Sequence, residues 1–266
     1  MKIALFIALL STAIGCIFPK NIEGQTDDSG ADSLKKYSYL LTASFEEFSQ
    51  QGTGFFIRSK GQLYLITAKH FIGRGRFPKA LFVWPSTTGS DTSHVKAVDM
   101  RRVMTRWKES AKQIRSEWDV VAIPVSDTIF DNIYSVESFV RPMSRKMKQI
   151  EIFGYPIKPN WDHSIVYGSP SILQIPDDKY QLTIGIDTNL HKKDRINYYI
   201  YTTAITIDSR LRGYSGAPVF TKNQSNNWCI LGSFAGHTDS NGSNEKAIKI
   251  VRLKYILKEK NLAHAF

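Results

Sequence analysis

Ser215 stands in the run Gly213-Tyr214-Ser215-Gly216-Ala217-Pro218, a hydroxyl between two glycines with a proline close behind. A serine hydroxyl is a weak nucleophile at neutral pH, so it needs a base to take its proton and a third group to orient that base. Glycine leaves room for an incoming carbonyl and reaches backbone angles closed to other residues. Such a turn can aim the N–H groups of Gly213 and Ser215 at one point, an oxyanion hole. His70 ends the strand-like run Tyr64-Leu65-Ile66-Thr67-Ala68-Lys69 and carries the side chain best suited to act as base. Asp119 opens the apolar run Val120-Val121-Ala122-Ile123 and offers a carboxylate to hold the imidazole tautomer and stabilise its cation. Asp99 and Glu109 lie in the same interval, but neither precedes a run that would be buried.

Elements that would position these groups are mostly strands. Short β-rich runs cover Tyr37 to Ser44, Gly54 to Ile57, Leu63 to Thr67, Ala80 to Trp84 and Val120 to Val125. Ser59-Lys60-Gly61 is a hairpin-like turn between two of them. A second set follows at Gln149 to Tyr155, Ser171 to Ile175, Tyr180 to Ile186, Ile196 to Ile207, Pro218 to Phe220 and Cys229 to Phe234. The stretch 98–118 reads as a helical insertion or a long loop. Ile250, Leu253 and Leu257 recur at helical spacing, which predicts a C-terminal helix over about 250–261. The expected class is all-β: two six-stranded antiparallel barrels, about 37–135 and about 147–250, followed by that helix. His70 and Asp119 then belong to the first barrel and Ser215 to the second, with the site in the cleft between them.

The chain has 266 residues, 42% of them hydrophobic, enough for a sizeable core. Met1-Lys2, the apolar run Ile3 to Leu10 and small residues up to Gly15 form the pattern of a secretory signal, residues 1–15, extending to 24 on a longer reading. The expected location is therefore outside the cytoplasm: periplasm, cell envelope or medium. Ala13-Ile14-Gly15-Cys16 is similar to a bacterial lipobox, with Ala13 where leucine is usual. Two readings stand for Cys16, lipidation or an incidental residue beside a simple cleavage site, and lipidation is the one route to a membrane. Residues 20–36 are polar and rich in Gly, Asp and Ser, and 16–36 reads as a flexible arm. Cys229, in Trp228-Cys229-Ile230-Leu231, reads as a buried structural thiol. The formal net charge is +11, with basic residues concentrated in 101–115 and 141–148. A solvated basic surface accounts for this, and no nucleic-acid-binding signature accompanies it. The six histidines lack paired ligand spacing and no phosphate-binding glycine loop is present, so no metal and no cofactor are expected.

Four segments together resemble the chymotrypsin-like (trypsin-fold) serine proteases, nearer the bacterial trypsin-like and HtrA-type branch. Gly52-Thr53-Gly54-Phe55-Phe56-Ile57 is similar to the family's G-x-G-F strand, and Thr67-Ala68-Lys69-His70 to its T-A-x-H. Trp118-Asp119-Val120-Val121-Ala122 resembles the acid segment, with one extra residue between Asp119 and Ala122 compared with the commonest form. Gly213 to Pro218 resembles G-x-S-G-[GA]-P, and the order His, Asp, Ser is the family's. The likeness runs from about Tyr37 to the C-terminal helix. It implies an exported endopeptidase acting on polypeptides through an acyl-enzyme on Ser215, with catalytic His70, Asp119 and Ser215. An esterase with the same triad, or a silent binding module on the same scaffold, are the rival readings. Tyr214 stands where activatable members carry an aspartate, which implies that no zymogen cleavage is needed. The chain ends at Phe266, so the expectation includes no PDZ module.

By the same resemblance, the substrate pocket is lined by Asp208, Ser209 and Leu211 before the turn and by Gly232, Ser233, Phe234 and His237 after it. Asp208 would favour a basic side chain, Phe234 would narrow the pocket, and His237 would favour an acidic side chain. The residues leave these alternatives open.

Overall fold

Lys60 and Gly61 both have positive φ, 49° and 79°. That pair of angles suits a two-residue hairpin, whose twist matches the strands it joins. It joins β2 (Ser49–Ser59) to β3 (Gln62–Ala68), which pair antiparallel from Ser59↔Gln62 back to Gly54↔Thr67. The first half of β2 pairs instead with β1 (Tyr39–Ser44), from Ser44↔Ser49 to Tyr39↔Gly54. β2 thus changes partner at Gly54. A Cβ there would lie 2.7 Å from Leu41 Cδ1 and 2.8 Å from the Ile66 carbonyl oxygen, so the corner needs glycine.

The computed structural model describes residues 30–72, 77–84, 95–100, 119–141, 150–157, 171–175, 180–186, 197–203, 211–239 and 246–257. Two antiparallel sheets are built from them. The first has six strands in the order β5-β4-β1-β2-β3-β6, with β4 Ala80–Trp84, β5 Lys96–Val98 and β6 Val120–Val125. The second has the order β8-β7-β11-β12-β13-β10-β9. Its strands are β7 Ile150–Gly154, β8 Ser171–Ile175, β9 Tyr180–Ile186, β10 Asn197–Thr203, β11 Pro218–Lys222, β12 Trp228–Asp239 and β13 Lys246–Arg252. This is the all-β, chymotrypsin-like architecture expected from the sequence.

The second sheet has seven strands where six were expected. β13 occupies part of the segment whose spacing suggested a helix: Ile248 and Ile250 are fully buried and Lys249 between them is not, a period of two. Within the described residues the α-helix covers Leu253–Ile256, and 258–261 of the predicted helix lie outside them. β5 was not anticipated. At the other end, Ala31–Tyr37 forms a 3₁₀ helix with Leu34 buried, inside the segment read as an arm. The segment read as a leader, Cys16 and nearly all of the 98–118 stretch and the two basic clusters lie outside the described residues.

Alternation along β2, β3 and β6 explains why these strands read as continuous apolar runs. Phe56, Leu63, Leu65, Val121 and Ile123 fill the core of the first sheet. Their neighbours Phe55, Ile57, Ile66, Val120 and Ala122 face Phe153, Phe220, Ile230 and Val251 of the second. A strand buried on both faces has no polar side to show. A third cluster, including Ile152, Tyr214, Val219, Phe234 and Ile250, lies within the second sheet.

Candidate active site

His70 lies in a single 3₁₀ turn, Lys69–Ile72, that continues directly from β3. Phe71 and Ile72 are buried in the first core and anchor the turn, leaving the His70 side chain about one-third exposed. The register β3 to β6 ends at Ala68↔Val120, so the next residues on each strand, Lys69 and Asp119, meet just beyond the ladder. The Lys69 N–H donates to the Asp119 carbonyl at 3.1 Å. The Asp119 carboxylate then takes two contacts from His70: the backbone N–H at 2.9 Å to Oδ1, and ring Nδ1 at 2.5 Å to Oδ2. Asp119, not Val120, is the residue that reaches the imidazole.

An ionised carboxylate only accepts hydrogen bonds. Nδ1 facing Asp119 therefore carries the ring proton in neutral His70, and Nε2 keeps a lone pair. That is the tautomer a general base requires.

The serine turn is tied to both sheets. Against the first, the Thr53 N–H donates to the Ser215 carbonyl at 3.2 Å, and the Thr53 hydroxyl donates to the Gly213 carbonyl at 2.6 Å. Gly216, with φ +91°, lies against the middle of β2 and the end of β3: a Cβ there would stand 2.7 Å from Thr67 Oγ1 and 2.8 Å from the Ala68 nitrogen. Ala68 is two residues before His70. Against the second sheet, Gly216 N–H donates to the Phe234 carbonyl at 2.8 Å, and Phe234 N–H to the Ala217 carbonyl at 2.9 Å. Ser215 itself is partly exposed. His70 and Ser215 make no direct hydrogen bond. Without substrate such bonds are often long and tighten in the reacting complex.

Two peptide planes in the turn are fixed by their carbonyls. Arg212 C=O accepts from Ile157 N–H, and Tyr214 C=O from Ala217 N–H, both at 2.8 Å. In a trans peptide the N–H points opposite to the C=O. The N–H groups of Gly213 and Ser215 are thereby turned away from those partners, and neither has a partner among the described residues. Gly213 needs its φ of +94° for this, and it lies so close to the Tyr155 carbonyl that no side chain fits.

Of the residues expected to line a substrate pocket, Asp208 and Ser209 lie outside the described residues. Leu211 is buried in the second core. Gly232 closely approaches the Val251 carbonyl of β13. Ser233 is fully buried, with no partner for Oγ among the described residues. Phe234 is 1% exposed and packs edge-on against Tyr214 in the core. The His237 backbone pairs with Ile248 in β12–β13. Among the described residues no group of three or more His, Cys, Asp or Glu is placed to hold a metal. Thr53, Tyr155 and Ile157 contribute to the site and were not singled out from sequence. Thr53 sits in the Gly52-Thr53-Gly54 segment, where the glycines drew attention and the residue between them did not.

Similar chain paths occur among solved proteases. Protease Anisep from Arthrobacter nicotinovorans is 15% identical, with a TM-score of 0.49 over 87% of this chain and 96% of that one. The active form of a protease from M. tuberculosis is 13% identical, with a TM-score of 0.47 over 84% of this chain and 79% of that one. The HtrA-type protease AlgW with tripeptide is 13% identical, with a TM-score of 0.48 over 85% of this chain. This chain spans 60% of AlgW's length. At these identities and scores the likeness concerns the chain path, and no residue role passes through it. No family model and no curated protein matches the chain.

Proposed function

We propose that this protein is a serine endopeptidase whose triad is Ser215, His70 and Asp119, acting on polypeptides outside the cytoplasm. The observation that carries the reading is the His70–Asp119 pair, held at 2.5 Å beside the β2 and β3 backbone on which the Gly213–Gly216 turn is seated. Ser215 Oγ attacks the scissile carbonyl while its proton passes to His70 Nε2. The carbonyl electron pair becomes an oxyanion, received by the N–H groups of Gly213 and Ser215. Collapse expels the amine, which takes the proton from His70, and water then repeats the sequence on the acyl-enzyme. Each oxyanion donor contributes on the order of 10²–10³ in rate.

Tyr214 supports a turn that needs no N-terminal amine for its assembly. It is 6% exposed, and its ring lies against Gly154 in the second core. Apolar packing holds the turn where an ion pair would otherwise be required, so activity needs no zymogen-type cleavage beyond removal of the leader.

The test is Ser215→Ala. Wild-type protein should hydrolyse unfolded casein and take up a serine-directed fluorophosphonate, and the variant should do neither while keeping its circular dichroism spectrum. Equal labelling of the two proteins rejects Ser215 as nucleophile.

A further inference from the structure

We propose that Thr53 is a positioning residue for acylation, holding the serine turn in the form from which its N–H groups converge; this rests on the hydrolase reading above. Thr53 is fully buried and makes four hydrogen bonds to three other segments. Its hydroxyl donates to the Gly213 carbonyl at 2.6 Å and accepts from Tyr155 N–H at 3.1 Å. Its N–H donates to the Ser215 carbonyl at 3.2 Å, and its carbonyl accepts from the Thr67 hydroxyl at 2.8 Å. One residue thus joins β3, the segment after β7 and both residues whose N–H groups form the hole.

Gly213 is where the turn is least restrained from within. Glycine at φ +94° crosses to other backbone angles at little cost. Its N–H direction is therefore set from outside, by the peptides on either side. Ile157 N–H fixes the peptide before Gly213 through the Arg212 carbonyl, and the Thr53 hydroxyl fixes the one after it. Tyr155 and Ile157 belong to the same short segment, so the Thr53 hydroxyl also couples the two pins to each other. The hydroxyl must donate and accept at once, which serine and threonine do and valine cannot. Threonine's branched Cβ restricts the rotamer as well.

Thr53→Val keeps the shape and removes the hydroxyl. It should lower kcat per titrated active site by about 10²-fold, on the scale of losing one oxyanion donor, with KM within about threefold. Thr53→Ser should restore kcat to within about threefold of wild type. A residue that merely supports the fold would lower the melting temperature and the titratable fraction, leaving kcat per active site unchanged. Tyr39→Phe, which removes a buried hydroxyl elsewhere in the first sheet, provides that reference behaviour. Should valine at 53 fail to fold, Thr53→Cys supplies a weak donor in nearly the same volume and should show the same loss. Wild-type kcat per active site in Thr53→Val or, should that not fold, in Thr53→Cys, or failure of Thr53→Ser to restore the rate, overturns the proposal. Absence of fluorophosphonate labelling in wild type would instead overturn the hydrolase reading itself.

Discussion

One added methyl group at Gly216 should lift the serine turn off the first sheet. A Cβ there would stand 2.7 Å from Thr67 Oγ1 and 2.8 Å from the Ala68 nitrogen, and closer still to the Thr53 carbonyl oxygen. Relaxed carbon–oxygen contacts begin near 3.3 Å, so the turn must retreat by on the order of 1 Å. The obstructing atoms are mainly backbone of the paired strands β2 and β3 and cannot rotate aside. The positive φ of +91° adds about 1–2 kcal/mol for any residue with a Cβ, and crowding of a packed seam adds about 1–3 kcal/mol. Gly216→Ala should therefore cost about 2–5 kcal/mol of stability. Gly61→Ala is the matched control, with φ +79° but nothing within 4 Å, and should cost about 1–2 kcal/mol. Urea unfolding in a Ser215→Ala background measures both without self-digestion. With Ser215 present, a 1 Å displacement of the nucleophile costs about 10²-fold in kcat/KM, about 2.7 kcal/mol of barrier. If Gly216→Ala is no less stable than Gly61→Ala and hydrolyses a fluorogenic peptide at the wild-type rate, the turn is not seated on β2 and β3 as described.

Asp119→Asn should reduce kcat/KM by about 10⁴-fold. The His70 backbone N–H requires an acceptor at Oδ1, so the carboxamide NH₂ turns toward Nδ1 and forces the ring proton onto Nε2; imidazole nitrogen chemical shifts read the tautomer change directly. Burial pushes the Tyr39 phenol above its ordinary value, only partly offset by its hydrogen bonding to the Tyr134 backbone. The unfolded chain releases that proton from about pH 10, where the folded protein still holds it, so the unfolded state binds fewer protons and stability falls as pH rises. Tyr39→Phe should flatten this alkaline decline in melting temperature, while costing about 1–3 kcal/mol through the unpaired Tyr134 peptide groups. Burial likewise raises the Cys229 thiol, so in a Cys16→Ser background a thiol reagent should react with native protein slowly and with urea-unfolded protein at once.

β4, β6, β8 and β9 could be assigned from sequence because short runs rich in β-branched and aromatic residues, bounded by turn residues, favour extended strands. Ala80 to Trp84 and Val120 to Val125 are strands over the same residues in the fold. β13 was obscured because Ile250, Leu253 and Leu257 straddle a strand-to-helix junction, where a period of two and a period of 3.6 share the same apolar residues. β5 has three residues, too short for any period to show.

The residue types at 70, 119 and 215 suggested the proposed chemistry, because a hydroxyl nucleophile, a base and an orienting carboxylate are what it requires whatever the fold. Their placement followed from the ladders. Register alone brings Lys69 and Asp119 opposite each other at the end of β3 and β6, which puts the carboxylate on the imidazole. Spacing along the chain carries no trace of Thr53 meeting Gly213, 160 residues away. A hydrogen bond between segments so distant exists only after two sheets have closed against each other and dried the seam between them, and that is an outcome of tertiary packing.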